Sequence, residues 1–135
     1  MKRTLLLISV ISVFAALCSA QDDAAYTAAM KSVNASAGGR GGGALGAAIT
    51  AKDTAAAATE AKKVQAGFET ILSYWKAKKV DDAITFATTA RDAAKAIADS
   101  TDADAQAAAR TKLQGTCGAC HMAHRGGTPP DFVIK

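Results

Sequence analysis

Apolar positions along this chain recur at steps of three and four, the period of an amphipathic helix rather than the two-residue alternation of a half-buried strand. Between Asp53 and Lys76, the residues Val64, Phe68, Ile71, Leu72 and Trp75 fall on one face. From Val80 to Ala98 the same rule selects Ala83, Ile84, Ala87, Ala90, Ala94 and Ile97, with Asp81 or Asp82 expected to cap the start. A further helix is expected from Thr101, where Thr101 and Asp104 have capping-box spacing. Its stripe runs Ala105, Ala109, Leu113, Cys117, Cys120 and His124. The remaining candidate, from about Asp22 to Ala37, presents Tyr26, Met30 and Val33 on one side. No strand pattern emerges. The connections Lys76 to Val80 and Ala98 to Thr101 are short, so consecutive helices are expected to run antiparallel. The pattern therefore predicts an all-α chain, an antiparallel up-down four-helix bundle.

The segment from Gly38 to Gly46 interrupts this pattern, because each glycine inside a helix costs about 1 kcal/mol relative to alanine. It lacks the Gly-Lys-Ser/Thr ending of a phosphate-cradling loop and follows no strand. The expectation is a flexible connector or a frayed helix end, with Arg40 as a candidate neighbour of an acidic ligand group.

Composition sharpens the picture in two ways. Alanine dominates while aromatic residues make up only 5% of the chain, which favours helices but leaves little side-chain volume to fill a bundle. Something bulky is expected at the centre. Residues 1–20 carry the marks of a secretory signal peptide: Lys2 and Arg3, a mostly apolar run from Leu5 to Leu17, and a small-residue cleavage site at Cys18-Ser19-Ala20. Cleavage is expected after Ala20, so that residues 21–135 form one domain in the periplasm. The apolar run is shorter than a membrane anchor requires, and Leu17 is larger than the residue a lipid-attachment signal at Cys18 prefers. Loss of Lys2 and Arg3 takes the formal net charge from +4 to +2. That balance, without a basic stripe or groove-reading element, gives no indication of nucleic-acid binding.

The chemistry concentrates at Cys117-Gly118-Ala119-Cys120-His121, a C-x-x-C-H sequence of the kind that attaches c-type haem. Two thiols three residues apart share a helical face, so each can add to one vinyl group of a porphyrin edge. His121 then lies beneath the ring as the proximal iron ligand. A thioredoxin-like redox pair is the competing reading, but it would open a helix after a strand. Zinc held by Cys117, Cys120, His121 and His124 is a second, although these four crowd into eight residues. Once the leader and Cys18 are removed, only the motif pair of cysteines remains.

The motif near the end of the last expected helix, followed four positions on by Arg125, and Met30 on the first helix, resemble the class II c-type cytochromes of the cytochrome c prime type. Two positions depart from that pattern: His124 replaces the usual aromatic residue before the base, and Tyr26 stands where members commonly carry an arginine near the haem propionates. The resemblance implies one covalent haem c, with Cys117, Cys120 and His121 holding it and Arg125 supporting a propionate or the proximal side. Only Met122 and Met30 remain as methionines in the mature chain, and Met122 neighbours the proximal histidine. Met30 is accordingly the candidate distal ligand, with a plain core residue as its other reading. His/Met ligation suits outer-sphere electron transfer with an unidentified redox partner protein; an unbound Met30 leaves a five-coordinate iron suited to NO or CO. A haem-free periplasmic metal-binding protein is the third reading. An enzymatic role is not expected, since no paired carboxylates or Ser/His/Asp set appears. His124 reads as a haem-edge or semi-exposed histidine, with propionate partner, pH-responsive group and sixth ligand as its functional alternatives. Phe68 and Trp75 read as core, and Lys76, Lys78 and Lys79 as a solvated turn or a docking face for an acidic partner. Relatives of this kind commonly form homodimers.

Overall fold

The computed structural model describes residues 23–39, 41–128 and 131–135. The expected leader, its cleavage site after Ala20, Cys18 and Arg40 lie outside the described residues. Five helices dominate the rest. They are α1 (23–37), α2 (Gly43–Thr50), α3 (Thr54–Lys78), α4 (Asp81–Asp99) and α5 (Ala103–His124). The C-terminal segment then forms a two-stranded antiparallel sheet of β1 (Arg125–Thr128) and β2 (Asp131–Ile134).

Helix boundaries follow from local chemistry. Asp53 caps α3 by accepting a 2.9 Å hydrogen bond from the Ala56 amide. At the other end Lys79 adopts a left-handed conformation (φ 57°), and the Val80 amide donates to the Trp75 carbonyl at 3.3 Å. The start of α4 differs from expectation. Its N-cap is Val80, without a side-chain cap; Asp81 and Asp82 lie in the first turn, where their charge favours the helix dipole. The Asp82 carboxylate accepts from the Ala83 amide at 2.9 Å. Helix α5 is capped one residue later than its capping-box spacing suggested, by Asp102, whose carboxylate accepts from the Ala105 amide at 2.7 Å.

The turns between α3, α4 and α5 are Lys79-Val80 and Ser100-Thr101-Asp102, and α4 packs along both neighbours. The core is built from the expected apolar faces: Val64, Phe68, Ile71, Leu72 and Trp75 from α3, Ala83, Ala87, Ala90, Ala94 and Ile97 from α4, and Leu113 from α5. Tyr26, Ala29 and Val33 bring α1 into the same cluster. Ala105, by contrast, is exposed, and the next residue, Gln106, takes the buried place. Its amide nitrogen donates to the carbonyls of Thr54 at 3.1 Å, Ile97 at 3.1 Å and Ser100 at 2.8 Å, tying the start of α3 to the α4–α5 turn. A buried amide survives only when so partnered.

The described residues 41–46 of the glycine-rich tract take a regular conformation. They make a turn through Gly42, whose left-handed φ of 74° suits glycine, and then enter α2. A Cβ at Gly46 would lie 1.8 Å from the Gly41 carbonyl oxygen, so this position has room for glycine only. The Arg110 guanidinium of α5 donates to that same carbonyl at 2.9 Å. The terminal sheet was also unexpected. Its register pairs Arg125 with Ile134 and Gly126 with Val133, and the Lys135 amide donates to the His124 carbonyl at 2.8 Å. Strands of four residues, two of them glycines in β1, are too short to impose a two-residue period on the sequence.

Candidate functional site

Helix α5 ends with the motif on its last two turns. Cys117, Cys120 and His121 are all half-buried, and the two cysteines are free thiols. Across from them α1 places Tyr26, Met30 and Asn34 at successive helical turns. The two helices face each other over a cavity of about 90 Å³, lined by Met30, Cys117, Cys120 and His121 together with Phe68, Ile71, Trp75, Phe86, Ala87 and Ala90. A second, wider cavity of about 350 Å³ adjoins it and shares Tyr26, Met30, Asn34, Cys120 and His121. Its remaining walls are Thr27, Lys31, His124, Arg125, Val133 and Ile134. The small side chains Ala87 and Ala90 of α4 are what leave this space open, since a bulkier residue there would fill it.

Burial sets the electrostatics. The Cys117 thiol is pushed up to about 11, first by burial and then by Cys120. Burial also raises Cys120, with Asp82 adding to the effect. Both thiols are therefore protonated near neutral pH. A redox-active pair of the thioredoxin kind depends on the opposite shift, obtained at a helix N-terminus; this pair sits near a C-terminus, where the dipole disfavours a thiolate. His121 is lowered, by burial first and then by Arg125, which favours the neutral imidazole that ligates metals. Tyr26 is pushed up to about 12 by burial, with Cys120 and Tyr74 contributing.

An aromatic cluster supports the site from below. Tyr26 stacks on Tyr74 with ring centroids 4.3 Å apart and meets Trp75 edge-on at 5.7 Å. Trp75 in turn lies 5.2 Å from the His124 ring, and Phe86 lies 6.4 Å from it. His124 Nε2 is 3.0 Å from Asp82 Oδ2, which ties the end of α5 to the first turn of α4. The Trp75 indole N–H is buried without a full hydrogen bond, its polar neighbour being the Tyr26 hydroxyl, whose raised pKa it offsets in part.

Met30, Cys117, Cys120, His121 and Arg125 thus converge on adjoining cavities, as do Trp75 and Phe68, which are also core. Met122 points away and is 80% exposed. Lys76, Lys78 and Lys79 are exposed on the α3–α4 turn, with Lys78 3.8 Å from Asp23 and 5.2 Å from the Tyr74 ring centroid. Among the described residues no group of three or more His, Cys, Asp or Glu side chains is placed to hold a metal ion. No helix among those described is long and apolar enough to cross a membrane. Sequence reasoning missed Asn34, Lys31, Phe86, Val133 and Ile134 as wall residues. Asn34 was legible, being one turn beyond Met30, whereas Val133 and Ile134 reach the site only because the terminal sheet folds back.

Comparison with protein-family models, with curated proteins and with solved structures finds no match to this chain.

Proposed function

We propose that this chain is an exported monohaem c-type cytochrome that transfers electrons. The observation that carries the reading is that a C-x-x-C-H motif and a methionine from another helix line one apolar cavity. The donor set fits the group: two neutral thiols on one helical face for the vinyl edge, an imidazole in its neutral form, and a thioether across the gap. The aliphatic and aromatic walls suit a porphyrin body, and the orphaned space in an alanine-rich core suits its bulk. On this reading α1, α3, α4 and α5 form an up-down four-helix bundle around the cofactor, which the short α3–α4 and α4–α5 turns support.

When bound, the haem supplies a one-electron couple. The protein's residues do the rest. Cys117 and Cys120 would hold the porphyrin by thioether bonds, and His121 would supply an imidazole ligand to its metal. Met30 would offer its thioether to the metal, and such a soft ligand would favour the reduced form and raise the potential. Phe68, Ile71, Trp75 and Phe86 exclude water. The Asp82–His124 contact and the Trp75 ring hold the end of α5, the element that carries the motif, in place, which would suit outer-sphere transfer.

The test is the visible spectrum of protein made with export and haem-attachment machinery, compared with Met30→Ala. Low-spin His/Met features in the wild type, lost with a fall in potential in the variant, are expected. A wild type already high-spin would replace electron transfer with diatomic-gas binding at a five-coordinate iron. A spectrum without haem bands would end the reading.

A further inference from the structure

Coordination of an iron gives no role to the charged rim of the wide cavity. Among the described residues two cationic side chains line it, Lys31 from α1 and Arg125 from β1, and no carboxylate lines either cavity. The Lys31 side chain makes no ion pair or hydrogen bond among the described residues. A rim that presents the Lys31 ammonium beside Arg125 is complementary to a carboxylate.

We propose that Lys31 is a cofactor-binding residue, pairing with one haem propionate while Arg125 faces the other. This assignment rests on the haem reading above and orients the group within it. A porphyrin is polar at one edge: its vinyl substituents are apolar, and its two propionates emerge on the opposite side. The vinyl edge is tethered at Cys117, which lines only the narrow cavity, among Phe68, Ile71, Trp75 and Phe86. Carboxylates cannot be desolvated there without partners. The wide cavity offers Lys31, Asn34 and Arg125 instead. Because Lys31 follows Met30 directly, it projects about 100° further around α1, so one helix addresses the metal and the acidic edge at once. A lysine ammonium is a compact point charge on a flexible stem, well suited to a carboxylate at a solvent-facing rim. Its positive charge disfavours the oxidised iron and offsets the propionate charge that favours it. Both effects raise the potential.

The experiment uses haem-loaded full-length protein carrying Lys31→Met or Lys31→Arg, with Lys62→Met as control; Lys62 is exposed on α3 and lines neither cavity. Intact mass first verifies the haem in each. Reduction potential at fixed pH is then measured, with redox-difference infrared spectra of haem labelled with ¹³C at the propionate carboxyls. Lys31→Met should lower the potential and shift the labelled carboxylate bands, Lys31→Arg should keep both near wild type, and Lys62→Met should leave the bands in place. If haem is attached but Lys31→Met matches Lys62→Met in both readouts, the Lys31 assignment is overturned and the cytochrome reading stands. If the wild type carries no haem, both fall.

Discussion

Gly67 is the position where the approach of α1 to α3 is most sensitive to a single methyl group. A Cβ built there would sit 2.5 Å from Val33 Cγ2, well inside the 3.4–4 Å of ordinary contact, and 3.5 Å from the Ala29 carbonyl oxygen. Val33 is 7% exposed and β-branched, so on a helix it has essentially one χ1 setting and cannot swing aside. Gly67→Ala must therefore push α1 outward or strain Val33, an overpacking cost of about 1–3 kcal/mol. Alanine's helix propensity returns about 1 kcal/mol of this. The net expectation is a loss of about 1 kcal/mol, when an unobstructed helical glycine would give a gain. Val33→Ala alone should cost about 2 kcal/mol through lost methyl burial and the cavity left behind. In the double variant the new methyl occupies the vacated space, so the loss should fall short of the summed singles by about 1 kcal/mol or more. Urea unfolding followed by far-ultraviolet circular dichroism measures all four corners of the cycle. Strict additivity, or a Gly67→Ala variant more stable than wild type, would refute the close crossing. It matters for the site because α1 carries Met30 and Lys31.

Three further outcomes follow from the geometry. Gly46→Ala should destabilise by about 2 kcal/mol, since its methyl would collide with the Gly41 backbone, whereas Gly115→Ala in α5 meets nothing within 4 Å and should stabilise by about 0.5–1 kcal/mol in the same assay. Gln106→Leu removes the side-chain donor to the Ile97 and Ser100 carbonyls at the end of α4 and should cost about 2 kcal/mol in thermal or urea unfolding; a neutral result would show that these carbonyls find other partners. For the haem-free protein, folded-state values near 11 for Cys117 and near 12 for Tyr26 exceed their ordinary 9.0 and 10.0, so both favour the fold while protonated. Stability should hold up to about pH 9 and decline as the pH rises toward 12, and a flat profile across that window would contradict the burial of these groups.

Much of the helical layout was legible because apolar spacing and burial obey one geometry: Val64, Phe68, Ile71 and Trp75 on α3, and Ala83, Ala87, Ala90 and Ile97 on α4, are buried as their period requires. Turn chemistry was less so. Val80 and Asp102 took the cap positions because backbone geometry, rather than residue preference alone, decides which side chain meets a free amide. Gln106 displaced Ala105 from the core because three carbonyls at a helix junction supply partners that no local pattern records. Helix α2 was hidden by glycines whose purpose is tertiary, the contact of Gly46 with the Gly41 backbone beneath Arg110. The motif residues and Met30 were readable from type and spacing. The charged rim was not, since Lys31, Arg125 and the terminal strands meet only through folding.

The most direct measurement is the intact mass of the protein purified from a host that exports it and attaches haem, beside a Cys117→Ser/Cys120→Ser variant made identically. The account predicts a wild-type polypeptide heavier by one iron protoporphyrin, resistant to acid–organic extraction, and a variant that loses this addition. A wild type that emerges at the mass of the bare polypeptide would contradict it.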